Sequence, residues 1–305
     1  MANETTSTSV TEYVNSEWIR PVMGQAAKAA ANFARFGLQV DLRGKGTGTA
    51  SLGREESDIS NPPTEIDIAT EVTDLANIEF QTTAVTISTS EYGIMRKVTD
   101  VAGEDSILGQ GGLYNRIVIS GANDLAIGID SDYAALLAAF SVEVGDTTLN
   151  LTLASMVQAM AKLRAGDMRG PGGAVYNIHT QLALDYEAAL AASGSTTINN
   201  YHTKPEGTNG LEDGDLGTFM GSPVITNSLP PTANGGADRT GAVYLRGDEG
   251  RNPESHALAV AYSRFPTPEI QRVAKSRAAE VVVSMRAGAV ENADEAGVSI
   301  VGDAT

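Results

Sequence analysis

The chain contains no cysteine, which removes disulfides, thiolate nucleophiles and sulfur-ligated metals together. Histidine is nearly as scarce: His179, His202 and His256 are scattered, and none forms the His-x-x-x-His or His-Glu spacing that sets two ligands on one helix face. Tryptophan occurs once, as Trp18. There is no run of about eighteen apolar residues, and the polar stretch from Met1 to Val10 has no basic segment leading into an apolar one. The chain therefore reads as soluble and cytoplasmic. Positive charge is also short, with 21 Lys and Arg against 38 Asp and Glu and a formal net charge of -17. A protein that binds nucleic acid by neutralising phosphates needs a basic patch or stripe. An acidic surface instead repels DNA nonspecifically, which suits a container for DNA as well as it suits an ordinary acidic enzyme.

Catalytic patterns are missing too. Gly46-Thr47-Gly48 has Ser51 where the third glycine or alanine of a dinucleotide site should be and leads into a Gly-Arg-Glu turn, and Gly109-Gln110-Gly111 lacks the third small residue and is not preceded by a buried strand. No phosphate-binding loop with Lys-Ser or Lys-Thr occurs, and no Gly-x-Ser-x-Gly elbow. Asp130 and Asp132 flank Ser131, but two residues apart on a helix they point to different faces. His179 precedes a helix and reads as a hydrogen-bonding residue at its start. No catalytic, cofactor-binding or metal-binding residue is assigned, and an enzyme is not expected.

What is present is enough apolar residue, 42% of 305, to fill a core. The most ordered pattern runs from Leu113 to Val142. Val118, Ala122, Leu125, Ile129, Tyr133, Leu136 and Phe140 recur at spacings of three and four, which predicts one long amphipathic helix. Gly121, Gly128 and Ala135, seven apart, form a small-residue seam where another backbone could cross; Arg116, Asn123 and Asp130 form a polar line on another face.

In chain order, residues 1 to 37 form a polar tail and an alanine-rich helical run, Gln25 to Phe36, too poor in apolar residues for a core of its own. From Leu38 to Ile87 the pattern is of strands and turns. Between Gly46 and Ser90 stand eight acidic residues, Glu55, Glu56, Asp58, Glu65, Asp67, Glu71, Asp74 and Glu79, against Arg54 alone. This reads as a long acidic β-hairpin with too little apolar surface to stand by itself, so it is expected to lie across another subunit. The basic stretch Gln271 to Val290, with Arg272, Lys275, Arg277 and Arg286, is its expected receptor. Val98 to Leu108 reads as a strand end and short helix, and Gly109 to Gly112 as a flexible lead. Thr152 caps a helix through Leu163, Ala174 to Ile178 is a strand, and Thr180 caps a helix from Gln181 to Ala192. Ser195 to Gly217 reads as a long loop. Strands are expected at Pro223 to Asn227, Ala242 to Arg246, Ala257 to Tyr262, Ile270 to Lys275, Ala279 to Arg286 and Val298 to Val301.

This order of parts resembles the major capsid proteins of tailed double-stranded DNA bacteriophages, which have the Hong Kong 97 (HK97) fold. The resemblance rests on the long helix with its Gly128-Ile129-Asp130-Ser131-Asp132-Tyr133 stretch, on Val175-Tyr176-Asn177-Ile178-His179 with the helix after it, on Met220-Gly221-Ser222-Pro223-Val224 running to Pro230, and on the paired strands within Pro268 to Ala289. It implies an α+β, HK97-like capsid fold with an N-terminal arm (1–37), an extended loop (38–88), a peripheral domain (89–146) holding the spine helix (113–142), an axial domain (147–265) and C-terminal strands returning to both (266–305). It implies a structural protein, without cofactor, that assembles as pentamers and hexamers into an icosahedral shell around packaged double-stranded DNA bound without sequence specificity.

Implied partners are copies of itself, a portal, possible decoration proteins and a separate scaffolding protein, since no hundred-residue scaffolding segment precedes the arm. No membrane is involved; the location is the virion capsid, assembled in the host cytoplasm. No Lys and Asn pair for self-crosslinking is assigned around Lys45, so the shell is expected to be non-crosslinked. An encapsulin, a bacterial cargo shell of the same fold, is the alternative, and a soluble oligomeric enzyme the more distant one.

Overall fold

The computed structural model describes residues 34–55, 82–106, 109–146, 148–165, 173–193, 202–203, 215–233, 238–246 and 256–303. Residues 1–33 of the expected arm and 56–81 of the expected hairpin lie outside them.

The chain enters through a 3-10 turn, Ala34–Phe36, and then runs through β1 (Leu38–Asp41), β2 (Thr49–Glu55), β3 (Thr82–Ser88), β4 (Ser90–Thr99), α1 (Asp100–Glu104), α2 (Gly109–Ala135), β5 (Glu143–Asp146), α3 (Leu153–Ala165), β6 (Ala174–His179) and α4 (Thr180–Ser193). The rest is β: β7 (His202–Thr203), β8 (Asp215–Phe219), β9 (Ser222–Asn227), β10 (Thr232–Ala233), β11 (Asp238–Leu245), β12 (Leu258–Val273), β13 (Ala278–Glu291) and β14 (Gly297–Asp303). These strands form a four-stranded sheet, β1-β12-β13-β4, an eight-stranded sheet ordered β5-β14-β11-β6-β9-β8-β7 with β10 beside β11, and a two-stranded ribbon of β2 and β3.

The long helix α2 is the 27-residue element predicted by the apolar period, about 40 Å of rod at ~1.5 Å per residue. Val118, Ala122, Leu125, Ile129 and Tyr133 are buried along it, as their spacing requires. Its ends differ from expectation. Gly109 to Gly112 are helical rather than a flexible lead: Gln110 packs against Gly103 of α1 and donates to the Tyr114 hydroxyl at 2.8 Å, which outweighs the poor helix propensity of glycine. At the other end the α-helix stops at Ala135 and tightens into a 3-10 turn, Leu136–Ala138. The Ser299 hydroxyl donates to the freed Leu137 carbonyl at 2.7 Å. Phe140 stays buried beyond the helix, so the apolar period continues past the end of the element.

The seam is half real. A Cβ on Gly121 would come within 3.0 Å of Val283 on β13, so β13 does cross closely there; one on Gly128 would meet nothing within 4 Å. Along the polar line exposure falls from Arg116, which is exposed, through Asn123, which is half-buried, to Asp130, which is fully buried.

Two expected strands, Ala257 to Tyr262 and Ile270 to Lys275, are one 16-residue strand, β12. Register shifts between Tyr262 and Thr267 take up the irregularity around Pro266. β1 pairs with β12 only as far as Tyr262, so Pro266 and Pro268 lie where β12 has no ladder partner on its other side among the described strands. The loop expected over Ser195 to Gly217 contains β7 and the start of β8, which pair at His202↔Phe219. The turn from β8 to β9 puts two residues at positive φ, Met220 at 52° and Gly221 at 81°, as a two-residue hairpin of the I′ type needs.

Helix α3 starts as expected, with the Thr152 hydroxyl accepting the Ser155 N–H at 3.1 Å. For α4 the cap is one residue earlier than expected: Thr180 is already helical, and His179 Nδ1 accepts the Gln181 N–H at 3.1 Å.

Candidate assembly surface

The ribbon β2–β3 is the acidic hairpin of the sequence, paired from Thr49↔Ser88 to Glu55↔Thr82. Its first strand does not begin at Leu38, because β1 is already part of the four-stranded sheet. The root is held firmly. Leu42, Ile87, Ala259 and Ala261 are buried together, with Leu38, Val40, Ala50, Leu52 and Val290 around them. Thr89 donates its N–H to the Gly48 carbonyl at 2.8 Å, and its hydroxyl lies 2.9 Å from that of Ser263. Where the ribbon crosses β13 the backbones nearly touch, since a Cβ on Gly288 would sit 2.1 Å from the Ser88 carbonyl oxygen.

Past this root Ser51, Gly53, Ala84 and Thr86 are exposed. Two strands with one short apolar face are marginal in water. Such a ribbon gains stability by lying on a surface it does not itself provide.

Among the described residues the four-stranded sheet has one open face. α2 covers the other, where Val281, Val283 and Met285 are buried. Tyr92 and Arg96 of β4 also reach that helix: Tyr92 donates to Asp132, and Arg96 to Ser120 at 2.9 Å and Asp124 at 2.7 Å. Burial and the Asp132 carboxylate push the Tyr92 phenol up to about 12. On the open face Met95 is 63% exposed, in register with Val282 and Glu269. A second row joins Glu91, Arg286 and Arg264. Arg264 takes the Glu91 carboxylate and also donates to Ser284 at 3.0 Å, whereas Arg286 lies against Gly48 at the ribbon root.

The four expected basic residues are thus divided. Arg286 stands by the ribbon root. Arg272, Lys275 and Arg277 gather at the β12–β13 turn, where Arg272 pairs with Asp100 of α1 at 2.9 Å and Lys275 and Arg277 are exposed.

Those of the residues weighed for chemistry that lie among the described side chains stand apart from one another. Asp130 and Asp132 point apart, as expected: Asp130 is buried and accepts from the Ala34 N–H at 2.7 Å and from Asn227 Nδ2 at 3.2 Å, whereas Asp132 is exposed. His179 caps α4; burial, with Arg239 nearby, lowers its pKa below the ordinary histidine value. His256 is buried before β12, and the side chain of His202 lies outside the described set. Among the described residues no three His, Asp or Glu side chains gather as they would around a metal ion. Nor is any helix among them long and apolar enough to cross a membrane.

No family model matches the chain, and no curated protein matches it significantly. Solved structures do match it. The head structure of Helicobacter pylori bacteriophage KHP40 superposes with a TM-score of 0.62 at 14% identity, covering 88% of this chain and 87% of that one. A structure from Mycobacterium phage Che8 gives 0.58 at 16% identity, with 83% and 84% covered. The holo-SrpI encapsulin complex of Synechococcus elongatus gives 0.58 at 10% identity, with 89% and 87% covered.

What these share with the chain is the fold. It is α+β and HK97-like, with the spine helix over Gly109 to Ala138.

Proposed function

We propose that this chain is the major capsid protein of a tailed double-stranded DNA bacteriophage, assembling as pentamers and hexamers into an icosahedral shell. The observation that carries this reading is an HK97-like fold over most of the chain together with a ribbon anchored at its root and exposed beyond it. Phage heads predominate among the similar structures, which favours a packaged genome over an enzyme cargo. In this reading the four-stranded sheet and α2 make the peripheral domain, and the eight-stranded sheet with α3 and α4 makes the axial domain. The acidic hairpin lies on a neighbour near Arg286, and many weak contacts of this kind sum to a strong container. A portal is its further partner, the shell is not crosslinked, and assembly takes place in the host cytoplasm.

The encapsulin reading keeps one specific support, the similarity to the Synechococcus elongatus complex. Electron microscopy of the purified protein tests the common part: shells tens of nanometres wide are expected, and a stable small oligomer under all conditions would overturn it. Nucleic-acid and protein content of native particles separates the two readings, DNA being expected here and an enzyme cargo in the other.

A further inference from the structure

The two edges of the four-stranded sheet are built differently. On one side β1 covers β12 from Ala259 to Tyr262, and beyond it stand Pro266 and Pro268, which have no N–H to give to a further strand. The other edge is β4. Its ten residues, Ser90 to Thr99, pair with β13 without a register shift and include no proline. Among the described strands none pairs with its outer side. A long, regular edge of this kind presents a row of backbone donors and acceptors to another strand.

Its side chains are complementary to themselves. Glu91, Gly93, Met95 and Lys97 alternate along the open face and are exposed, while Tyr92 and Arg96 reach α2 on the other. A Cβ on Gly93 would meet its nearest neighbour only at 3.9 Å, so a gap adjoins the exposed Met95. In the helix layer Ile127, also exposed, shares a face of α2 with Ser120 and Asp124, the residues that Arg96 holds, and so borders the same edge. A second copy of β4 running antiparallel, with Ile94 opposite its own counterpart, sets Glu91 opposite the partner's Lys97, and Lys97 opposite the partner's Glu91. Met95 then lies opposite the partner's Gly93, and Tyr92 opposite the partner's Arg96, an aromatic ring beside a guanidinium. Neighbouring registers lose this match. Centred on Met95, Glu91 meets Thr99 and Lys97 meets Gly93; centred on Gly93, Glu91 meets Met95.

We propose that two copies of the chain join edge to edge through β4, antiparallel about a two-fold axis at Ile94, so that their four-stranded sheets become one continuous sheet. A two-fold contact uses the same patch on both copies, so each complementary pair occurs twice. Backbone hydrogen bonds supply the joint, and the paired charges and the fit of Met95 to Gly93 fix its register. Glu91 is available for this role: Arg264 takes one of its oxygens, and its side chain is still 64% exposed. The contact is distinct from that of the acidic hairpin near Arg286, and it stands apart from the shell reading, since such a pair forms equally in a free dimer or within a closed shell.

Because the chain has no cysteine, introduced thiols report on this joint alone. Ile94→Cys sets two sulfurs opposite each other, where Cα atoms of an antiparallel pair lie about 4.5–5.5 Å apart, within reach of a disulfide. The double change Glu91→Cys and Lys97→Cys, on the exposed face, tests the same register without touching the core; within one strand these positions are about 20 Å apart and cannot join. Oxidised glutathione should convert full-length protein carrying either change to a disulfide-linked dimer on a non-reducing gel. Glu91→Cys with Thr99→Cys, which matches the neighbouring register, should link far more slowly. Adding Lys97→Glu to Ile94→Cys puts like charges opposite each other twice and should slow linking on the order of ten-fold at low salt. Linked dimers from a protein that makes no shells would uphold the joint and count against the shell. Shells whose subunits link neither at Ile94 nor through the Glu91 and Lys97 positions would overturn the joint alone, as would equal linking in both registers.

Discussion

Asp130, fully buried in the middle of the long helix, accepts the backbone N–H of Ala34 at 2.7 Å from 96 residues away. Its second oxygen accepts from Asn227 at the end of β9 at 3.2 Å, and Asn227 in turn accepts the Leu229 N–H at 3.2 Å. One carboxylate thus joins the entry of the chain, the helix and the eight-stranded sheet. A buried carboxylate is tolerated only where its acceptors are filled in this way. Asp130→Ala should lower stability by about 1.5–3 kcal/mol, the range for hydrogen bonds to a charged group. Asn227→Ala should cost about 1 kcal/mol. Denaturant unfolding of the full chain measures both, and a surface-like change below about 0.5 kcal/mol for Asp130→Ala would contradict this assignment.

The glycines of the same helix should separate. Gly121 faces Val283, so Gly121→Leu drives a side chain into β13 and should cost about 1–3 kcal/mol. Gly128 faces open space, and Gly128→Ala should gain up to about 1 kcal/mol from helix propensity. Thermal unfolding of the two variants checks the opposite signs.

These same positions show what the sequence could and could not reveal. The apolar period located α2 because burial on one helix face leaves a local, repeating trace, and the alternation around Leu38 and Val281 located strands for the same reason. The seven-residue spacing of Gly121 and Gly128 could not say which of them a strand crosses, since that depends on where β13 runs. The burial of Asp130 was not legible because its partners, Ala34 and Asn227, are distant in the chain. The Thr89 bridge at the ribbon root was hidden likewise. The early start of α2 was hidden by glycine propensity, which packing against α1 overrides.

The ribbon root should be sensitive to one methyl group. Gly288→Ala places a Cβ about 2 Å from the Ser88 carbonyl oxygen, which neither backbone can accept without moving. Stability should fall by more than about 2 kcal/mol. Thr89→Ala, which loses only the hydroxyl contacts to Gly48 and Ser263, should cost about 1 kcal/mol. Hydrogen exchange of β2 and β3 should rise in both variants, more in Gly288→Ala, while exchange of α3 and α4 stays as in wild type.

His179 should make the start of α4 sensitive to acid. Its neutral Nδ1 accepts the Gln181 N–H, and an imidazolium cannot accept. Burial, then Arg239, lowers its folded pKa below the unfolded value. Its contribution is therefore complete above the unfolded histidine pKa, about 6.5, and is lost as pH falls from there through the folded value. His179→Asn supplies a side-chain oxygen that caps at any pH. The variant should lose less stability than wild type between about pH 6.5 and 5, and equal losses would show that another group carries the acid sensitivity.

Charge should govern how copies meet. The expected hairpin carries Glu55 and Glu56 at the edge of the described ribbon, and Arg286 stands exposed at the root. Each exposed contact between opposite charges is worth only about 0.2–1 kcal/mol, and salt screens it over a Debye length of about 8–10 Å. Repeated around a closed shell, such small terms decide whether assembly proceeds. The double change Glu55→Lys and Glu56→Lys should weaken assembly most at low salt, where the new repulsion is least screened. Arg286→Glu should do the same, and combining all three changes should restore part of the loss if the groups face one another. Light scattering of assembly reactions across a salt series reads the effect directly. Assembly of the double variant that matches wild type at every salt concentration would remove the hairpin charges from the interface.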